Sequence, residues 1–115
     1  MNKLEALLKK VNDDMTSVEF SEVIETVDTS YTFTPTAFKN GDTQNDADQN
    51  NGSCKVFAFG KINDLNPEQT LNLFGDYYRK DVLDHPENDD HQNIRNFIKY
   101  RWEGISFEGE ALAKK

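Results

Sequence analysis

The segment from Lys39 to Ser53 constrains the fold of this chain more than any other part of its sequence. It reads KNGDTQNDADQNNGS and has one apolar side chain, Ala47, so it has almost nothing to bury in a core. Its two Asn-Gly pairs, at 40–41 and 51–52, are turn signals. We therefore expect residues 39–53 to form a long, poorly ordered polar loop, with the packed structure built from the segments on either side.

Length and charge bound the class of protein. A chain of 115 residues is long enough for one core and too short for two, so we predict a single domain over 1–115. Only 36% of the residues are hydrophobic, but 8 Phe, 4 Tyr and 1 Trp each bring a large area to bury. With 21 acidic and 13 basic residues the net charge is −8, which argues against nucleic acid or an anionic membrane as a partner.

The cysteine count and the hydropathy exclude two further classes. Cys54 is the only cysteine, so the chain has no internal disulfide and no zinc site built from several cysteines. The sequence has no apolar run of about 18 residues, the length that would predict a membrane span. We expect a soluble, acidic, globular protein.

Helix signals recur along the chain. Five segments show helical spacing of apolar residues or a helix start. The third, from Cys54 to Ile62, is ambiguous because short apolar runs do not reveal their period, although Ser53 as N-cap favours a helix. The last two are expected to span 67–84 and 91–102. The N-caps that we assign to the five segments are Asn2, Thr16, Ser53, Asn66 and Asp90.

These segments predict an all-α protein, a single-domain bundle of about five helices with one long polar loop. The second helix is expected to carry an apolar stripe from Phe20 to Tyr31, and Ile105 and Phe107 to form an extended tail. The alternative is an α+β fold in which residues 54–60 form a strand. The side chains expected to be largely buried at the centre of the core are Phe74, Tyr78, Phe97 and Trp102, and Ile98 is expected to face the core.

Cys54 is the first residue with chemical potential. If Ser53 caps a helix, Cys54 lies in its first turn, where the helix dipole lowers the pKa of a thiol. With His91 downstream, it is a candidate nucleophile for a cysteine hydrolase. The papain-like sequence around a catalytic cysteine is absent, and a lone cysteine is usually a small buried residue. We therefore assign no catalytic residue and keep Cys54 and His91 as candidates for this alternative.

His85 and His91 are the candidates for a metal site. They lie six residues apart in a segment rich in Asp, and two His with one carboxylate can bind zinc or iron. The spacing matches no standard zinc pattern, and His85 near a helix C-terminus is explained by the helix dipole. We therefore predict no metal and no other cofactor.

Charged and aromatic residues cluster between Asp76 and Trp102. Acids dominate the first part of this segment and bases the second, so two antiparallel helices would bring opposite charges together. We expect an interhelical lattice of ion pairs that fixes the packing. The functional alternative is a polar pocket for a small ligand. Its lining would be Tyr77, Arg79, His91 and Arg95.

Four long segments of the chain are distinctive: FTPTAFKNG (33–41), NNGSCKVFAFGK (50–61), QTLNLFGDYYRKDVLDHP (69–86) and DHQNIRNFIKYRWEGISFEG (90–109). Together they resemble the HopJ type III effector family, and the resemblance runs from about Phe20 to Leu112. The family is named after an effector secreted by a plant pathogen, and the resemblance implies no catalytic residues.

Three functional hypotheses follow. The first is a non-enzymatic interaction domain that binds a protein partner, with no nucleic-acid or membrane contact. The second is a small hydrolase that uses Cys54 or the His85/His91 pair, and the third is a cytosolic module that binds a small ligand. We expect the protein in the bacterial cytoplasm, with secretion into a host cell by a type III system as the destination that the resemblance implies.

Overall fold

The computed structural model describes residues 2–115 and shows an α+β protein with two small antiparallel sheets. One sheet pairs β1 with β5, and the other has the order β3-β2-β4. The all-α prediction is therefore wrong. In chain order the elements are α1 (Lys3–Asp14), a 3-10 turn (Met15–Ser17), α2 (Phe20–Ser30), β1 (Tyr31–Phe33), β2 (Phe38–Asn40), β3 (Thr43–Asn45), α3 (Asn51–Ile62), α4 (Pro67–Asn72), a π-helical segment (Tyr77–Val82), α5 (Gln92–Tyr100), a 3-10 segment (Arg101–Gly104), β4 (Ile105–Phe107) and β5 (Leu112–Lys114).

The polar segment 39–53 contributes to a sheet instead of forming one loop. The Asn-Gly pair at 40–41 closes a hairpin, in which Asn40 pairs with Thr43 around a two-residue turn. Gly41 has φ +60°, as such tight turns require. The second Asn-Gly pair, at 51–52, begins α3. The prediction of a single loop is therefore wrong over most of its length.

Each strand is only three residues long, which is why the sequence pattern did not reveal it. A period of two cannot be recognised over three residues, and β3 is the polar tripeptide Thr43–Asn45. Tyr31, expected in the stripe of the second helix, instead begins β1 and pairs with Lys114. The strand alternative for residues 54–60 is also wrong, because they lie inside α3.

Helix starts follow the capping rules, with some shifts. Asn2 accepts a hydrogen bond from the Glu5 N–H at 2.8 Å, and Asn66 forms a capping box with Gln69. The second helix begins three residues later than the Thr16 signal indicated, with Glu19 as N-cap. The N-caps of α3 and α5 are Asn50 and His91, not Ser53 and Asp90.

Gly75 interrupts the helix that the sequence predicted over 67–84. Its φ is +62°, and a Cβ built there would lie 2.8 Å from the backbone nitrogen of Phe20. Only glycine allows this close approach together with this backbone conformation. Helix α4 therefore ends at Asn72, and the chain continues through a turn at 73–75 into the π-helical segment 77–82.

The core is centred on aromatic rings from three helical regions. Phe57 of α3 lies 5.4 Å from Phe74 and 4.9 Å from Phe97 between ring centroids, and Trp102 packs edge-on against Phe97 at 5.0 Å. Phe74 and Phe97 are buried as expected, whereas Trp102 is only half-buried. Tyr78 is half-buried too, and Ile98 is 39% exposed, so its core assignment is wrong. Within residues 2–115, no helix combines the length and apolar character needed to cross a membrane.

The position of Phe97 predicts a large loss of stability on truncation. Phe97→Ala removes a fully buried ring that contacts Phe57 and Trp102, and such changes cost about 3–5 kcal/mol of a total of about 5–15 kcal/mol. Asp46→Ala, at an exposed turn, is the control and should shift the free energy of unfolding by less than about 0.5 kcal/mol. Urea melts measure both, and a Phe97→Ala variant as stable as wild type would contradict this core.

Gly75→Ala should also destabilise the protein, because the left-handed backbone costs about 1–2 kcal/mol for alanine and the new methyl group collides with the start of α2. Gly109→Ala is the matched control. Its Cβ would meet only Thr36 Cγ2, at an ordinary 3.7 Å. Thermal melts should show a clear drop for the first variant and almost none for the second; equal melting temperatures would contradict the role of Gly75.

Candidate functional site

An open cleft of about 530 Å³ lies where α2, the π-helical segment and the first turns of α3 and α5 meet. Its volume lies within the range of small-molecule and side-chain pockets, about 300–1,000 Å³. We call it the aromatic cleft. Its lining residues are Phe20, Thr43, Asn50, Gly52, Ser53, Phe74, Tyr77, His91, Gln92, Asn93 and Ile94.

Tyr77 forms the exposed part of the cleft wall. The residue is 45% exposed; its ring stands edge-on to Phe20 with 5.2 Å between centroids, and the His91 ring lies 5.3 Å away. Phe20 in turn stacks on the buried Phe74 at 6.4 Å. Tyr77 is thus held in place by aromatic neighbours while much of its surface stays available to a ligand.

His91 links the two elements that border the cleft. Its Nε2 lies 3.1 Å from Oδ2 of Asp81, a residue of the π-helical segment, while His91 itself is the N-cap of α5. This contact and the packing against Tyr77 fix the imidazole at the cleft wall. The other ring nitrogen, Nδ1, can donate or accept a hydrogen bond according to the tautomer.

Two helices begin at this cleft without a side-chain cap. The N-caps Asn50 of α3 and His91 of α5 both have left-handed backbone, with φ of +53° and +50°. Neither side chain accepts a hydrogen bond from its own helix. The N–H groups of a first helical turn have no partner within the helix, so the polar side of the cleft offers hydrogen-bond donors to a ligand.

Buried asparagines fix the polar segment beneath the cleft. Asn45 and Asn93 exchange two amide hydrogen bonds of 3.0 Å, and Asn40 donates to the carbonyl oxygen of Asn93 at 2.7 Å. Asn50 extends the network by donating to Oδ1 of Asn45 at 2.7 Å. Since Asn40, Asn45 and Asn93 are buried, these bonds satisfy groups that would otherwise destabilise the core. They join the β2–β3 hairpin to the start of α5.

Arg79 does not line the aromatic cleft. Its guanidinium donates to the carbonyl oxygen and to Oδ1 of Asn72, at 3.2 and 3.0 Å, and to the carbonyl oxygens of Met15 and Val18. It therefore ties the π-helical segment to the turn before α2.

Arg95 likewise forms its hydrogen bonds with residues that precede it closely in the sequence. It donates to the carbonyl oxygens of Asp90, Pro86 and His85, and it pairs with Oδ1 of Asp90 at 2.7 Å. This hydrogen bond lowers the pKa of the Asp90 carboxyl. Of the four residues proposed for a polar pocket, the structure thus brings Tyr77 and His91 together and uses Arg79 and Arg95 to hold backbone.

The ion-pair lattice expected between the last two long helices is sparse. Among the described residues, the one side-chain contact of this kind that joins the π-helical segment to the start of α5 is Asp81–His91. The pairs Lys80–Asp76 and Arg95–Asp90 each lie within one segment. Packing here depends mainly on aromatic contacts and on hydrogen bonds to backbone.

Cys54 lies in the interior of the protein. It is 1% exposed, and its Sγ lies 3.6 Å from the carbonyl oxygen of Thr36, to which the thiol donates. Burial raises the pKa of the Cys54 thiol. Because a nucleophilic cysteine must form a thiolate, this environment disfavours the role proposed for it in the hydrolase alternative.

The histidines proposed as metal ligands have different surroundings. His85 is exposed, and its carbonyl oxygen accepts a hydrogen bond from Arg95, whereas His91 pairs with Asp81. Within the described part of the chain, no three or more His, Cys, Asp or Glu side chains are grouped so that they could hold a metal ion.

Sequence reasoning missed Phe20 and Phe74 as walls of a site, because both were assigned to helix stripes that face the core. The signal that could have placed them is Gly75, a helix breaker inside an otherwise helical pattern. The asparagine network could not have been found, since Asn40, Asn45 and Asn93 are distant in sequence and resemble ordinary turn residues.

The fold and the cleft together define a small α+β protein with an open cleft lined by aromatic side chains. Over residues 4–112 the sequence matches the family described as HopJ type III effector protein, so the chain belongs to the HopJ type III effector family, as its sequence motifs predicted. It is also similar to a solved protein, VPA0580, whose crystal structure is described as that of an unknown function protein. The identity is 53% and the TM-score 0.97, with 100% of this chain and 95% of that chain covered. A comparison with curated proteins gives no match.

The buried position of Cys54 predicts slow chemistry at its thiol. Alkylation by iodoacetamide should be slow in the native state and fast in denaturant, and the native rate should rise only at alkaline pH because the pKa is raised. Mass spectrometry of timed samples measures both rates. Rapid native labelling near neutral pH would contradict this prediction and would revive Cys54 as a nucleophile.

Proposed function

We propose that this HopJ-family chain works by binding a protein partner, with the aromatic cleft as the point of contact. The observation that carries the proposal is that Tyr77 is 45% exposed although its ring packs against the rings of Phe20 and His91. Exposed aromatic rings at pre-formed clefts are typical of binding hot spots, because a fixed ring loses little conformational entropy on binding. A side chain of the partner would insert beside Tyr77, above Phe74 and Ile94.

Burial also supports this proposal. Phe74 and Ile94 lie beneath the opening and are themselves almost fully buried, so a side chain inserted there would complete an apolar environment. The hydrolase alternative has less support, because Cys54 lies in the interior with a raised pKa.

A small ligand is the second candidate occupant of the same cleft. The observation that favours it is the pair of uncapped helix starts at Asn50 and His91, which offers donors to a polar group of a ligand. Tyr77 and His91, two of the groups expected in such a pocket, do line the cleft. The openness of the cleft and the exposure of Tyr77 fit a larger partner better, since small-molecule sites usually enclose most of their ligand.

The family description suggests the cell in which the protein would bind its partner. The chain belongs to a family described as type III effectors. We place its synthesis in the bacterial cytoplasm and its partner in a host cell reached by type III secretion, with a bacterial partner as the alternative.

Panning of a random peptide display library on the protein tests the proposal. Peptides that bind should lose at least tenfold in affinity with Tyr77→Ala, about 1.4 kcal/mol, because that ring is the centre of the contact. Ile62→Ala is the matched control, since Ile62 is 49% exposed but lies outside the cleft lining. Calorimetry measures each affinity, and amide NMR shifts locate the contact.

Three outcomes separate the candidates. Peptide binding that depends on Tyr77 but not on Ile62 supports a protein partner. Peptides that bind equally well to the Tyr77→Ala variant contradict the proposal. If no peptide shifts the amide signals of Gly52 and Asn93 in NMR spectra but a compound from a small-molecule library does, the result would instead support the small-ligand candidate.

A further inference from the structure

The aromatic cleft continues along α2 as a shallow surface track. Two further depressions adjoin the cleft, and all three share Phe20 as a lining residue. One is bordered by Tyr77 and Phe74 and the other by Ile24. Phe20 and Ile24 lie one helical turn apart on α2, so their half-buried side chains form a continuous apolar ridge beside the cleft.

The charged residues along this track are acids. The adjoining depressions are lined by Glu19, Asp76, Glu25 and Asp28, and the lining of the cleft itself has no Asp, Glu, Lys or Arg. Within residues 2–115, none of the three depressions is lined by a lysine or arginine, although the chain has 13 of them. We call this surface the acidic track.

Lysines from outside the track contact three of these acids. Glu25 pairs with Lys3 at 2.6 Å and Asp28 with Lys55 at 2.8 Å, while the Asp76–Lys80 pair is longer, at 3.7 Å. All three carboxylates are more than half exposed. The Glu25–Lys3 and Asp76–Lys80 pairs are exposed on both sides, whereas the Lys55 side chain is only 17% exposed. Exposed pairs contribute only about 0–1 kcal/mol, so a partner's cations can share or replace the first two at little cost.

The overall charge selects among possible occupants. A net charge of −8 on a chain of 115 residues repels a second copy and attracts cationic molecules. The apolar ridge requires aliphatic or aromatic side chains between those cations, which a free metal ion or a simple polyamine does not supply.

We infer that the partner's docking segment is a cationic, amphipathic stretch of protein chain. Its apolar side chain enters the aromatic cleft beside Tyr77, a second lies along Phe20 and Ile24, and its Lys or Arg side chains flank these and face Glu19, Glu25, Asp28 and Asp76. Charge complementarity of this kind sets the rate and specificity of association. This inference rests on the proposed function and specifies the class of partner that the cleft takes.

Two triple variants that remove the same number of acids test it. Glu25→Gln/Asp28→Asn/Asp76→Asn neutralises the acidic track, whereas Glu103→Gln/Glu108→Gln/Glu110→Gln removes three exposed acids outside it. The probes are the peptides recovered by panning whose binding requires Tyr77. They should be rich in Lys and Arg, bind at least tenfold more weakly to the first variant, and retain their affinity for the second.

Salt provides an independent readout. Raising the ionic strength should weaken the affinity of the peptides for the wild-type protein. The affinity of the track variant should depend less on ionic strength than that of the control variant. Circular dichroism melts of both variants confirm that each is folded before affinities are compared.

The remaining outcomes overturn the inference. Suppose that peptides require Tyr77 but lack basic residues, and that neither salt nor the track substitutions change their affinity. This result contradicts the inference but leaves the proposed function intact. Equal weakening by both triple variants shows attraction to net charge alone and contradicts it as well. If no peptide requires Tyr77, the proposed function fails and the inference fails with it.

Discussion

The close contact between Gly75 and the first residue of α2 is the constraint on which the rest of this structure depends. A side chain at residue 75 would collide with the backbone of Phe20, so glycine lets the two segments meet. Through this contact the chain leaves α4, places Phe74 in the core and presents Tyr77 to the ring of Phe20. One backbone position thus determines both the packing of the central aromatic cluster and the shape of the cleft.

The second half of the cleft depends on polar bonds rather than on apolar packing. The asparagine network holds the β2–β3 hairpin against the first turn of α5, and His91 then reaches Asp81 across the opening. The hydrogen bonds among Asn40, Asn45 and Asn93 stabilise this side of the cleft, although Oδ1 of the buried Asn40 has no hydrogen-bond partner among the described residues. The polar segment 39–53, although it has almost no apolar side chains, therefore forms part of the structure that supports the cleft.

Some elements of the fold and of the cleft could be predicted from the sequence, and others could not. The family, the N-caps Asn66 and Asn2, and the burial of Phe97 were predictable, because long motifs and local capping patterns carry their own signal. The fold class was not, because every strand has only three residues and both β4 and β5 pair with strands far earlier in the sequence. Of the candidate site residues, Tyr77 and His91 do line one cleft, whereas the bonding of Arg79 to backbone could not be read from its spacing.

The pairing of the sheets also determines when the protein can fold. Strand β1 at residues 31–33 pairs with residues 112–114, and β2 at 38–40 pairs with residues 105–107. Neither sheet is complete until this late part of the chain has been synthesised and has paired with strands that lie much earlier in the sequence. Pairings between distant segments are slow steps in folding because the loop they close costs entropy. The helices can form locally on the ribosome, but the hairpin edge that supports the cleft stays open until the last strands arrive.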